Sequence, residues 1–390
     1  MVSGSKLRVA IVHYWFLVYG GGERVIEALG DMFPHADIFA LFADEGSTPE
    51  TIRHRKLRTS FLDRIPGARK VSRELFPFYP LAVESLDLRD YDLVISSDSP
   101  PMKGILTHNR QLHICYCHTP GRYLWDSFED FRSTLPWLFR PGFSTVAAYL
   151  RRWDYQAAQR VNHFVANSRY VADRIRRYYQ RDSTVIYPPV NTDYGYISTS
   201  VSDAYLHVGR LVEGKRIDLL IQACNQLGRK LLIAGTGREE QKLKAMAGPT
   251  IEFLGRVPDS QLSDLYATSR ALLFAADEDF GIVPLEAQAH GRPVIAYAKG
   301  GSLETVRGNS SDGQQTGVFF HQQTVESLAQ GIRQFEEDEA LFDPKTIRRH
   351  ARQFDTAVFK ERLQSLIEER ISAYNTTPPL NDNFVRQAQL

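Results

Sequence analysis

Along most of this chain a short apolar run gives way to a glycine-rich or polar corner. A stretch with apolar residues three and four apart follows, and the cycle then repeats. Strand-then-helix cycles of this kind build parallel sheets covered by helices on both faces, because a parallel return needs a long crossover. The spacing predicts strands over 8–12, 37–42, 92–96, 113–117, 163–166 and 184–187, with helices over 23–29, 144–160 and 168–180. Pro188-Pro189 and the polar stretch to about Ser202 stop the series, since proline excludes helix and interrupts sheet. A second series follows, with strands over 205–208, 230–234, 251–254, 271–276 and 293–297 and helices over 215–227, 259–268 and 284–290.

The expectation is α/β architecture with two doubly wound, Rossmann-like domains facing each other across a cleft. The domains run over 1–197 and 198–345, a helical stretch over 346–374 closes the fold, and 375–390 forms a loose, proline-broken tail. With 47 Lys+Arg against 46 Asp+Glu, the net charge of +1 gives no support to nucleic-acid binding. No apolar run reaches the ~18 residues that span a bilayer. The first residues show no cleavable leader pattern, and three cysteines are too few for a disulfide framework. A cytoplasmic protein is therefore expected. One segment complicates this: Arg53, Arg55, Lys56 and Arg58, continued by Arg64, Arg69, Lys70 and Arg73, lie beside Phe61, Leu62, Phe76, Phe78 and Tyr79. A solvated helical surface accounts for it, but basic residues beside apolar ones also suit an anionic membrane. The inner face of the plasma membrane is then the place to look.

The strongest chemical signal is 277–287, Asp-Glu-Asp-Phe-Gly-Ile-Val-Pro-Leu-Glu-Ala, which follows an apolar strand and opens a helix. Gly281 permits close backbone approach, Pro284 suits a first helical turn, and free amides at such a helix start attract phosphate. Acids beside a phosphate are repelled by it, so Glu278 and Glu286 more plausibly accept hydrogen bonds from sugar hydroxyls. The structural alternative makes Glu286 a capping acid and Glu278 loop surface.

The stretch 278–286 resembles the E-x7-E signature of family-4, retaining, GT-B-type glycosyltransferases. Gly209-Arg210 through Lys215 to Leu220 resembles that family's donor-phosphate motif, and 234–237, 253–257 and 300–304 fall in the family's order. The resemblance implies that Arg210 and Lys215 bind the donor diphosphate and stabilise the charge on the leaving group. It gives Glu278 the hydroxyls of the transferred sugar, and Glu286 the ribose. The backbone of Phe280, Gly281 and Ile282 would meet sugar and phosphates, and Arg256 and Val257 the base. Gly21 and Gly22 match the family's glycine turn, which lets a phosphate or an acceptor approach a helix start. His118 resembles a histidine that contacts the sugar, although a lone histidine is more often structural.

The implied enzyme moves a hexosyl group from a nucleotide sugar to a saccharide acceptor with retention, in polysaccharide biosynthesis. The 112–126 region resembles the O-antigen and exopolysaccharide branch, including heterocyst-envelope transferases, which points to a lipid-linked acceptor. UDP-glucose is the favoured donor and GDP-mannose the other. A nucleotide-sugar 2-epimerase of the same fold and a non-catalytic nucleotide-sugar-binding protein are the alternatives. Asp277-Glu278-Asp279 spells D-x-D, but it overlaps a cation-supported phosphate site, so no metal cofactor is expected. Cys115, Cys117 and His118 do not make a zinc site, because alternate strand residues face opposite sides and no second cysteine pair exists.

Overall fold

The computed structural model describes residues 7–308 and 313–376, and among these the chain separates into two compact units. The first comprises residues up to Tyr187 together with the stretch from Lys360; the second is Pro188–Phe359. The tail expected over 375–390 lies outside the described residues, apart from the helix backbone at 375 and 376.

The first unit is a parallel sheet in the order β3-β2-β1-β4-β5-β6-β7. Its strands are β1 Val9–Phe16, β2 Asp37–Ala43, β3 Leu57–Thr59, β4 Leu93–Asp98, β5 Leu112–Cys117, β6 His163–Ala166 and β7 Ser183–Val185. The central strands β4 and β5 are buried throughout, as a parallel sheet covered on both faces requires. The second unit is a parallel sheet in the order β10-β9-β8-β11-β12-β13. Its strands are β8 Tyr205–Val208, β9 Leu231–Ala234, β10 Ile251–Gly255, β11 Leu272–Phe274, β12 Val294–Tyr297 and β13 Gly317–Phe320. Side chains alternate between two cores: Tyr205, Leu273 and Ile295 face one, while Leu206, Leu272 and Val294 face the other. Each such buried side chain contributes roughly 1.5–3 kcal/mol. In both sheets the chain starts near the middle and reverses direction, at β1/β4 and at β8/β11. A doubly wound sheet offers its binding crevice at the carboxyl ends of those strands.

The basic run at 53–58 departs from the helical surface expected of it. It crosses the short helix Glu50–Arg53 and the edge strand β3. Its cations are spent within the fold. Arg55 donates to the carbonyls of Gly30 and Phe33 at 3.0 Å or less, closing the end of helix Gly21–Met32. Lys56 and Arg58 both pair with Asp37. The helical pattern over 345–374 is two helices, Pro344–Ala351 and Thr356–Thr376, with a break between them.

Candidate active site

In the second unit the carboxyl ends of adjacent strands are braced through main-chain contacts. Gly209 N–H donates to Ala234 O at 3.0 Å, Gly235 N–H to Gly255 O at 2.7 Å, and Leu211 N–H to Thr236 O at 2.9 Å. Glycine is required at two of these positions. A Cβ on Gly235 would lie 1.9 Å from Gly209 O, and one on Gly237 would lie 2.3 Å from Leu211 O. The corners after β8, β9 and β10 thus form one block carrying Gly209, Arg210, Lys215, Arg256 and Val257. Arg210 and Arg256 are exposed. Neither makes an ion pair or hydrogen bond among the described residues.

On the other side of the reversal, the corner after β11 is held by glycines that follow β12. Gly301 N–H donates to Glu278 O at 2.8 Å, and a Cβ on Gly301 would lie 2.2 Å from Phe280 Cα. Gly281 caps helix Ile282–Ala289 at φ +90°, a conformation that favours glycine. The two sides meet through charge: the Lys215 ammonium pairs with the Glu278 carboxylate, both about three-quarters buried. Asp277 pairs with Lys299 at 3.0 Å. The first two acids of the D-x-D pattern are therefore each matched to a lysine. Among the described residues no group of three or more His, Cys, Asp or Glu is placed to hold a metal ion. Glu286 sits one turn into the helix, and Tyr266 O–H donates to its Oε2 at 2.8 Å. The structure therefore brings Arg210, Lys215, Glu278, Phe280, Gly281, Ile282 and Glu286 to the reversal of one sheet, with Arg256 and Val257 at its edge strand.

Gly21, Gly22 and His118 belong to the first unit. Gly21 opens helix Gly21–Met32 after β1, and Gly22 leaves room for the Tyr14 phenol, which a Cβ would meet at 2.4 Å. His118 follows β5, its backbone clamped between Asp98 O, which accepts its N–H at 2.8 Å, and Asn167 Nδ2, which donates to its carbonyl at 2.9 Å. Asp98 also pairs with the wholly buried Lys103 at 3.3 Å, and Lys103 pairs in turn with Asp154. Asp154 accepts Trp125 Nε1–H at 2.9 Å and Tyr179 O–H at 2.8 Å. Burial opposes the charge on Lys103, but Asp154 and Asp98 outweigh it and raise its pKa. Although His118 is only partly buried as a residue, desolvation pushes its imidazole pKa down to about 3. Its Nε2 lies 2.8 Å from Ser97 Oγ. Ser97, His13, Glu23 and Tyr266 were not anticipated from the sequence. They sit in apolar runs or within helices, and only strand order brings His13 and Ser97 together.

Residues 19–194 match the model of Glycosyltransferase Family 4, and residues 202–354 that of Glycosyl transferases group 1. The Alpha-1,3/1,6-mannosyltransferase ALG2 of Candida glabrata is 26% identical over 78% of this chain and 79% of its own length. Among solved structures, Anabaena HepE in complex with UDP superposes with a TM-score of 0.70 at 17% identity, covering 93% of this chain and 100% of that one. Sucrose-phosphate synthase from Thermosynechococcus elongatus superposes at 0.69 with 18% identity, covering 94% and 100%. With two reversing parallel sheets, this chain carries the GT-B glycosyltransferase fold, its first part matching the family 4 model and its second the group 1 model.

Proposed function

We propose that this glycosyltransferase moves a hexosyl group from a nucleoside-diphosphate sugar to a hydroxyl of a saccharide acceptor, with retention at the anomeric carbon. The observation that carries the reading is the Lys215–Glu278 pair at the β8/β11 reversal, with Arg210 making no ion pair among the described residues. A diphosphate carries more charge than one carboxylate, so it competes for Lys215 and joins Arg210 in charge-assisted hydrogen bonds. Glu278, released from the lysine, then has carboxylate oxygens to accept from the hydroxyls of the sugar. The ion pair thus stands in for the donor, each half taking one part of it.

Arg210 and Lys215 stabilise the charge that grows on the leaving diphosphate, which makes the reaction independent of a metal ion. Glu286, oriented by Tyr266, takes the ribose, and the backbone from Phe280 to Ile282 lines the sugar. The family resemblance implies attack from the face the diphosphate leaves, with a departing phosphate oxygen taking the acceptor's proton. His118 contacts the sugar. UDP-glucose is the donor favoured by the resemblance over 112–126, and GDP-mannose the one favoured by the mannosyltransferase relative.

The acceptor is a lipid-linked saccharide met at an anionic membrane surface. Support comes from 61–81, where Phe61, Ile65, Val71, Phe78 and Leu81 are exposed. The exposed Arg64, Lys70 and Arg73 interleave with them and carry no ion pair among the described residues. Exposed apolar residues beside unspent cations favour anionic lipid.

Calorimetric titration with UDP, GDP, UDP-glucose and GDP-mannose, followed by turnover on membrane-extracted acceptors, tests the reading. Lys215→Ala is expected to weaken nucleotide binding at least ~10-fold, and Glu278→Ala to lower kcat by ~10²–10³-fold. Wild-type binding by Lys215→Ala and Arg210→Ala together would remove the assignment. Epimer formed from a nucleotide sugar alone, without an acceptor, would replace transfer by epimerisation.

A further inference from the structure

The first unit contains an unbroken chain of polar groups running inward from His118. Parallel register sets His13 of β1 directly beside Ser97 of β4. Ser97 Oγ lies 2.8 Å from His118 Nε2 and 3.1 Å from His13 Nδ1. His13 Nε2 lies 3.4 Å from Glu23 Oε1, and Glu23 Oε2 accepts Gly20 N–H at 2.8 Å. His13, Ser97 and Glu23 are no more than 2% exposed. An unpaired group at such depth costs about 1–3 kcal/mol, so the hydrogens are distributed to satisfy every member.

With a single proton on His13, counting those hydrogens gives what His118 presents. A serine hydroxyl has one hydrogen and can donate to only one of two imidazoles. Glu23 is an acceptor, so His13 Nε2 must carry the hydrogen that points at it. A neutral His13 then has a bare Nδ1, which takes the Ser97 hydrogen. Ser97 Oγ in turn accepts Nε2–H from His118. The remaining nitrogen, His118 Nδ1, has a lone pair and makes no hydrogen bond among the described residues.

We propose that Glu23, His13 and Ser97 are positioning residues that hold His118 as its Nε2–H tautomer, with Nδ1 kept as the acceptor for a substrate hydroxyl. The part concerning substrate rests on the reading of His118 as a sugar-contacting residue. Because His118 stays neutral at ordinary pH, tautomer rather than charge is what the network controls.

The test is nitrogen-15 NMR of the full chain labelled in its histidine rings, without substrate, alongside steady-state kinetics. The wild type is expected to show a protonated Nε2 and a bare Nδ1 at His118, and Ser97→Ala a mixture of tautomers. Ser97→Ala should lower kcat ~10–100-fold with donor KM and nucleotide affinity within about twofold, and Ser97→Thr, which keeps the hydroxyl, should recover most of it. Glu23→Gln serves as a second variant, with a smaller loss in the same parameter. A hydrogen on Nδ1 in the wild type, or an unchanged tautomer in Ser97→Ala, overturns the proposal. If the tautomer responds as expected but His118→Ala transfers sugar at the wild-type rate, the network stands and the role of His118 in transfer falls.

Discussion

The two sheets reverse direction in the same way, yet they furnish the reversal differently. At β8/β11 the polar groups are charged and partly accessible: Lys215 with Glu278, and an exposed Arg210. At β1/β4 they are buried and joined by hydrogen bonds, from Glu23 through His13 and Ser97 to His118. The contrast separates two tasks. An ion pair that water still reaches can exchange one partner for a more highly charged ligand. A buried chain cannot rearrange without stranding a donor or an acceptor, so it keeps one geometry. On the proposed reading, one region is displaced by the donor and the other remains as built.

The sharpest way to break this comparison is Lys103→Met. It leaves Asp98 and Asp154 buried without their cation, and removing one partner of a buried pair costs about 3–5 kcal/mol. Chemical denaturation should show that loss, whereas UDP affinity in the cold should stay near wild type. A fall in affinity matching the fall in stability would mean that the two regions are not separable.

Gly301→Ala strikes the other region. Its new Cβ would press on Phe280 at 2.2 Å and push away the corner that carries Glu278. Overpacking of this kind costs about 1–3 kcal/mol, expected as a raised donor KM with a modest loss of stability. Unchanged donor kinetics would show that this corner does not set the site.

A further break is with pH. Burial, aided by Arg160 for His113, holds both at about 3. In the unfolded chain histidine titrates near ~6.5. Below that pH the unfolded state binds protons that the folded state refuses. The stability these groups provide is therefore complete above ~6.5 and declines as the pH falls toward ~3. Denaturant midpoints should drop between pH 7 and 4, and hydrogen exchange should show β4 and β5 losing protection. Midpoints level over that range would contradict the burial of these rings.

The sequence disclosed the second region better than the first. Arg210, Lys215, Glu278 and Glu286 lie within dense motifs at strand ends, where glycines and a helix start mark the corner. His13 and Ser97, by contrast, are 84 positions apart, inside runs that read as ordinary buried strand, and only the β1/β4 register makes them neighbours. Two edge strands were also hidden. β3 is three residues set among basic side chains, and β13 is four, too short for a period of two to stand out. The Arg53–Arg58 run read as surface charge because sequence cannot show that Arg55 finishes a helix or that Asp37 occupies two cations.

The absence of side chains at Gly235 and Gly237 has a wider consequence. Where three corners touch main chain to main chain, none can shift without moving the others. An incoming molecule must conform to that wall, not remould it. Side-chain drift around the wall would change the surface it offers over evolutionary time, while the spacing of the three corners stayed constant.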